Sequence, residues 1–279
     1  MIAELEAIAV DGPVGPLAGW QAGPAPGQPG PVPVLFLHPV NTAGRVWEDV
    51  VAALEPGRSC LLPDLRGHGG SVLRGPFTVE GYAADALAVL DALGVERAHV
   101  VGGSLGGAIA VALAATAPDR IASIAAFGSL LSLPVSKEDL ETVAQTIRTL
   151  GTRGYFEEIA PGTLSPARRS DRELLDRIVA LSVGTGRTPE MVTGILLNAL
   201  RCDVTAAADS VRCPSLIVTG EHDAWCTAEV GQAMAKALGT DHVVLAGVGH
   251  LPMVEEPGRV ATLLADHFAS AEKGQRSCA

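Results

Sequence analysis

The stretch AHVVGGSLGGAIAVALAATA, residues 98–117, decides how the chain folds. It carries no Asp, Glu, Lys or Arg, and its length invites a membrane-span reading. Four glycines (102, 103, 106 and 107), His99 and a high share of Ala argue against that, and Pro118-Asp119-Arg120 closes the run. The segment reads instead as a short buried strand, AHVV, that turns sharply through glycines into a buried helix.

The neighbouring segments repeat the same alternation. Val32 to Leu37 is an apolar run of strand length ending in His38-Pro39. Residues 44–54 suit a helix and 59–63 a strand, before the glycine-rich turn 64–71. Over Thr78 to Leu93, Val79, Tyr82, Ala83, Ala86, Leu87, Leu90 and Leu93 share one helical face, with Thr78 placed to cap the start and Gly94 the end. Residues 121–127 form a further strand. Continuous apolar strands alternating with helices predict a parallel sheet covered on both faces. Upstream, 3–10 and 15–22 read as extended pieces, and the Pro/Gly-rich 23–30 as a surface loop.

From about 130 to 205 the rhythm changes to helices without a convincing strand. Ser136 with Asp139 offers a capping box, and Ser165-Pro166 and Thr188-Pro189 each place a cap residue before a proline. Alternation returns with strands at 214–219 and 243–246 and helices at 227–238 and 257–270. The reading is an α/β core over 1–129 and 206–279, with a helical cap over 130–205 inserted into it.

Composition excludes several function classes. Of the 279 residues 48% are hydrophobic and 18% charged, enough for a large core. Twenty Lys+Arg against 31 Asp+Glu give a net charge of −11, which disfavours nucleic acid and anionic membrane surfaces as partners. Five cysteines (60, 202, 213, 226 and 278) without a tight pairing pattern fit reduced thiols. The acidic start, MIAELE, lacks the basic segment of a signal peptide, so a cytoplasmic location is expected. Seven scattered His without His-Glu-x-x-His or Cys-x-x-Cys give no expectation of a metal. A small molecule is the expected partner; the sequence leaves open whether the chain forms a homo-oligomer.

The chemistry centres on Gly102-Gly103-Ser104-Leu105-Gly106, a Gly-x-Ser-x-Gly between a strand and a helix. At the crest of such a turn a serine hydroxyl projects into the crevice beyond the strand ends, and the Leu105 N–H faces the place where an oxyanion would form. A serine nucleophile needs a base and an orienting carboxylate. Gly220-Glu221-His222-Asp223 follows one later strand and Gly247-Val248-Gly249-His250 the next. We assign Asp223 as orienter and His250 as base; Glu221 and His222 are the rival acid and base. Asp223 is preferred because it lies in the turn beyond its strand. Pro39 has no N–H, so the second oxyanion donor falls to Val40. His38 reads as a loop organiser. His38, Trp225 and Leu251 are candidate pocket residues. In the cap, Arg169–Glu173, Arg172–Asp176 and Glu173–Arg177 stand four apart, so this basic segment reads as an ion-paired solvated helix face. The alternative is an Arg for a substrate carboxylate.

With LFLHPVN (35–41), PDLRGHGGS (63–71), VVGGSLGG (100–107), TGEHD (219–223) and GVGHLPMVEEP (247–257), the chain resembles the α/β-hydrolase superfamily along nearly its whole length. It is most similar to capped members such as 3-oxoadipate enol-lactonases, carbon–carbon bond hydrolases and small esterases. The resemblance implies about eight strands and a cofactor-free Ser-His-Asp mechanism on a small ester, thioester or lactone. It departs at His38-Pro39, where many relatives have His-Gly, and at Cys226-Thr227, where relatives often have a proline. Carbon–carbon hydrolysis, lyase or transferase chemistry on the same triad, or slow-turnover ligand sensing, remain alternatives.

Overall fold

The computed structural model describes residues 4–133 and 135–276, so Met1-Ile-Ala and Cys278 lie outside the described residues. Eight strands form one sheet in the order β1-β2-β4-β3-β5-β6-β7-β8. β1 (Glu6–Gly12) and β2 (Gly15–Ala22) make an antiparallel hairpin that joins β4 (Cys60–Pro63) at one edge. The remaining pairings are parallel, through β3 (Val34–Leu37), β5 (Ala98–Gly103), β6 (Ile121–Phe127), β7 (Ser215–Gly220) and β8 (His242–Leu245).

Every residue of β3, β4, β5 and β6 is buried, which is why these strands read as unbroken apolar runs. Side chains of one strand still divide between two cores, as a period of two requires. Leu35 and Leu37 pack with Tyr82, Leu90, Ile109 and Leu113, from α2 (Val79–Ala92) and α3 (Leu105–Thr116). Val34 and Phe36 pack on the other face with Trp47 and with Val50, Leu264 and Phe268, from α1 (Glu48–Ala53) and α10 (Pro257–Arg276). Thr78 caps α2 by accepting from the Gly81 amide at 3.2 Å, and residues 44–54 divide into a 3₁₀ turn and α1.

Between β6 and β7 the chain forms α4 (Lys137–Thr163), α5 (Arg172–Val183), α6 (Pro189–Leu200) and the short α7 (Thr205–Ala208). Ser136 and Asp139 form the expected capping box, and Gly151 (φ 70°) bends α4. Thr188 caps α6. Ser165-Pro166 does not begin a helix. The Ser165 amide is taken by Glu255, its carbonyl accepts from the Arg168 and Arg169 amides, and α5 begins later, capped by Asp171. The chain leaves the sheet and returns to it side by side, where Ser132 pairs with Asp203 and the Val204 amide donates to Leu131 O at 2.8 Å. The expected ion pairs along α5 do not form: Arg177 instead reaches Glu48 (3.1 Å) and Asp49 on the core. The rest of the alternation returns as α8 (Ala228–Ala237), the unforeseen turn α9 (Pro252–Glu255) and α10, which runs past its expected end. No described helix is long and apolar enough to cross a membrane.

Candidate active site

Ser104 sits between β5 and α3 with φ 49° and ψ −118°, a region costly for a residue with a Cβ. Its amide donates to Phe127 O on β6 at 2.9 Å, which fixes the crest of the turn. The flanking glycines explain the spacing. A Cβ on Gly102 would lie 2.2 Å from the Gly106 carbonyl carbon, and one on Gly106 would lie 2.3 Å from Leu37 O. Only bare backbone lets α3 start this close to β3 and β5.

Beyond the ends of β7 and β8 the two expected partners meet. Asp223 Oδ1 accepts from the Trp225 and Cys226 amides at 2.9 and 2.8 Å, while Oδ2 accepts from His250 Nδ1 at 2.8 Å. Both side chains are buried. With the proton held on Nδ1, the other ring nitrogen is free to accept one. Glu221 is placed elsewhere: its carboxylate is 53% exposed and accepts from the Gly247 amide at 2.8 Å. His222 is likewise exposed. The His250 loop is anchored by its own amide to Thr163 O (2.8 Å), and by Glu255, which accepts from Gly249 N (2.7 Å) and Ser165 N (2.9 Å). Ser104 and His250 line one cavity, although no hydrogen bond joins Ser104 Oγ to His250 among the described residues.

Two amides at this cavity have their directions set from behind. In a planar trans peptide the C=O and the N–H point opposite ways. Ser104 O accepts from Ser129 Oγ (2.7 Å) and Gly107 N (3.0 Å), which turns the Leu105 N–H away from them. Pro39 O accepts from His38 Nδ1 (2.7 Å) and Thr42 Oγ1 (2.8 Å), which does the same for Val40. His38 Nε2 accepts from the Leu65 amide at 3.0 Å, and burial lowers its pKa to about 4, so the ring is neutral. His68 supports the next residue, accepting from the Asn41 amide at 3.0 Å, with its own pKa held well below 6.5 by burial.

The cavity has a volume of about 820 Å³ and is bounded by Val40, Leu105, Trp225 and Leu251, together with α4 residues such as Phe156 and Ile159. His38, a candidate pocket residue from sequence, does not line it, because both ring nitrogens are spent on backbone behind the wall. Trp225 is 43% exposed at the rim, its ring 4.9 Å from that of His250. Asp223, Cys226 and His250 place metal-ligand-type atoms within 4.8 Å of one another. Asp223 Oδ2 and His250 Nδ1 are engaged with each other and Oδ1 with two amides, and burial pushes the Cys226 thiol well above 9, away from the thiolate a metal takes. Sequence reasoning missed Ser129, Thr42 and Glu255. None carries a local signal: Glu255 only ends the apolar run 251–254, beside a second acid, Glu256.

Residues 34–263 match the alpha/beta hydrolase family. A lipase, LipV of Mycobacterium tuberculosis, is 28% identical over 253 residues, 85% of this chain and 94% of the relative. A solved esterase from Thermogutta terrifontis is 27% identical, with TM-score 0.81 over 96% of this chain and 99% of that one. An enol-lactonase from Burkholderia xenovorans is 25% identical, with TM-score 0.84 over 94% of this chain and all of that one (100%). On the match over 34–263 and the sheet order described above, this chain belongs to the α/β-hydrolase family.

Proposed function

We propose that the protein is a cofactor-independent serine hydrolase of a small carboxylic ester, thioester or lactone. The observation that carries this reading is the hydrogen bond from His250 Nδ1 to Asp223 Oδ2 at 2.8 Å, on a cavity shared with the strained Ser104. Ser104 Oγ attacks the carbonyl carbon while its proton passes to His250 Nε2. The carbonyl π electrons move onto oxygen, where the Leu105 and Val40 amides receive the charge. The bond to the leaving alcohol, thiol or ring oxygen then breaks, and His250 returns the proton to that group. Water attacks the acyl-enzyme by the same route, giving a carboxylic acid and free Ser104. Asp223 holds the imidazole in the required tautomer and stabilises its cation. Leu130, Val143, Phe156, Ile159 and Leu196 make the cavity wall apolar, which suits an uncharged acyl group.

A panel of p-nitrophenyl esters, thioesters and lactones tests this. Repeated turnover is expected in the wild type, with Ser104→Ala losing on the order of 10⁴-fold or more. Full turnover by Ser104→Ala sinks the assignment, whereas a single acylation without cycling by the wild type favours a ligand sensor.

A further inference from the structure

Arg187 lies in the loop between α5 and α6, and it is 7% exposed. No carboxylate pairs with it among the described residues, although an uncompensated buried cation is costly. Nη1 donates to Ser182 O at 2.5 Å, Nη2 donates to Asn41 Oδ1, and Nε has no partner. The guanidinium carbon stands 6.0 Å from the Phe156 ring. Asn41, Phe156 and Ser182 all line the cavity, and Arg187 does not. The guanidinium therefore sits behind the cavity wall with its forked nitrogens already turned to protein acceptors.

Its target is what matters. Asn41 follows the candidate oxyanion donor Val40 and holds φ 59°, a left-handed conformation that Asn adopts more readily than most residues with a Cβ. The peptide before Val40 is fixed through Pro39 O by His38 and Thr42, and the peptide after it through the Asn41 amide by His68. All of those contacts come from the core. The Asn41 side chain is held instead by a residue 146 positions away in the cap.

We infer that Arg187 is a positioning residue that couples the seating of the cap to the geometry of the oxyanion loop. It clamps the Asn41 side chain and so holds the loop that aims the Val40 amide. This rests on the serine-hydrolase reading above. With the clamp in place the loop is organised for the tetrahedral state; without it, ground-state binding survives and the chemical step slows.

The test is phosphonylation of Ser104 by a neutral fluorophosphonate, followed by intact mass. The Ser104 oxygen–phosphorus bond forms, fluoride leaves, and the serine proton passes to His250. The readouts are the limiting rate constant and the half-saturating concentration for wild type, Arg187→Met, Asn41→Gly and the double variant. Glycine at 41 keeps the left-handed backbone without the side chain. Each single variant is expected to lower the rate constant roughly 10- to 100-fold with half-saturation within about twofold. The double variant should lose little more than either single one, because both break one contact. Unchanged rate constants in both single variants overturn the inference, as does a loss confined to half-saturation, which would make Arg187 a ligand-binding group. If Arg187→Met does not fold, Asn41→Gly carries the same test alone. A folded wild type that takes no label at Ser104 overturns the serine-hydrolase reading itself, and the inference with it.

Discussion

Two non-glycine residues of the described chain hold positive φ, Asn41 and Ser104, and both line the same cavity. Backbone held in a sparsely populated region costs on the order of 1–3 kcal/mol and persists only when its surroundings over-determine it. Here they do: each site is pinned by hydrogen bonds from segments distant in sequence. The same logic makes Asp223 testable. Its Oδ1 accepts two amides, so in Asp223→Asn the oxygen stays there and the new NH₂ faces His250. The imidazole must then carry its proton on Nε2 and can no longer take one from Ser104. Turnover of a p-nitrophenyl ester should fall on the order of 10³- to 10⁴-fold with folding intact, whereas Glu221→Gln should stay within about twofold. Equal losses in the two variants would reject Asp223 as the orienting acid. At this scale the placement of a residue was legible where a local motif marks it, as at Ser104, Asp223 and His250, each beyond the end of its strand. Ser129 and Arg187 were not legible, because they act across separations of 25 and 146 residues that no local pattern encodes.

The strand-to-helix turn between β5 and α3 carries the tightest packing near the site. In Gly106→Ala the new methyl must push Leu37 O, which is backbone of a central strand and cannot swing aside. Overpacking of this kind costs about 1–3 kcal/mol, and for a chain of this size each kcal/mol lowers Tm by about 2–4 °C. A thermal melt should therefore drop by several degrees, and phosphonylation of Ser104 should slow as α3 moves off β3; an unchanged melt would contradict the close approach. The core elements were readable because burial on both faces leaves continuous apolar runs. The helices between β6 and β7 were readable only in part. The Ser136 and Thr188 caps formed, but Ser165 carries the same local signal and has its amide committed to Glu255, 90 residues away. Tertiary demand overrode the cap signal there, as it drew Arg177 away from its helical neighbours to Glu48 and Asp49.

Across the whole molecule, several histidines are buried neutral. Burial lowers the pKa of His38 and of His99 to about 4, and holds His68 well below 6.5. Well above pH 6.5 these rings are neutral in both the folded and the unfolded state. As pH falls from 6.5 towards 4, the unfolded chain binds protons that the folded chain refuses, so stability declines through that window. Each ring adds a slope of up to about 1.4 kcal/mol per pH unit. Tm should be level at pH 7–8 and fall steeply by pH 5, and His99→Gln should flatten the decline; a level Tm down to pH 4.5 would refute this. His99 also shows where charge alone misleads: it sits between Ser123 (2.7 Å) and Glu272 (3.2 Å) and stacks on Phe268, binding α10 to the sheet far from the cavity.

The chain leaves the sheet beside the point where it returns, joined by the Ser132–Asp203 bridge and the Val204 to Leu131 hydrogen bond. To the core, everything between those residues is a loop whose ends already touch. The entropic cost of closing such a loop grows only with the logarithm of its length. Insertions or deletions within this segment thus add little to the entropic cost of forming the sheet. Several contacts resist that freedom: Arg187 to Asn41, the His250 amide to Thr163 O, the Ser165 amide to Glu255, and Arg177 to Glu48; a grafted segment would have to supply their equivalents.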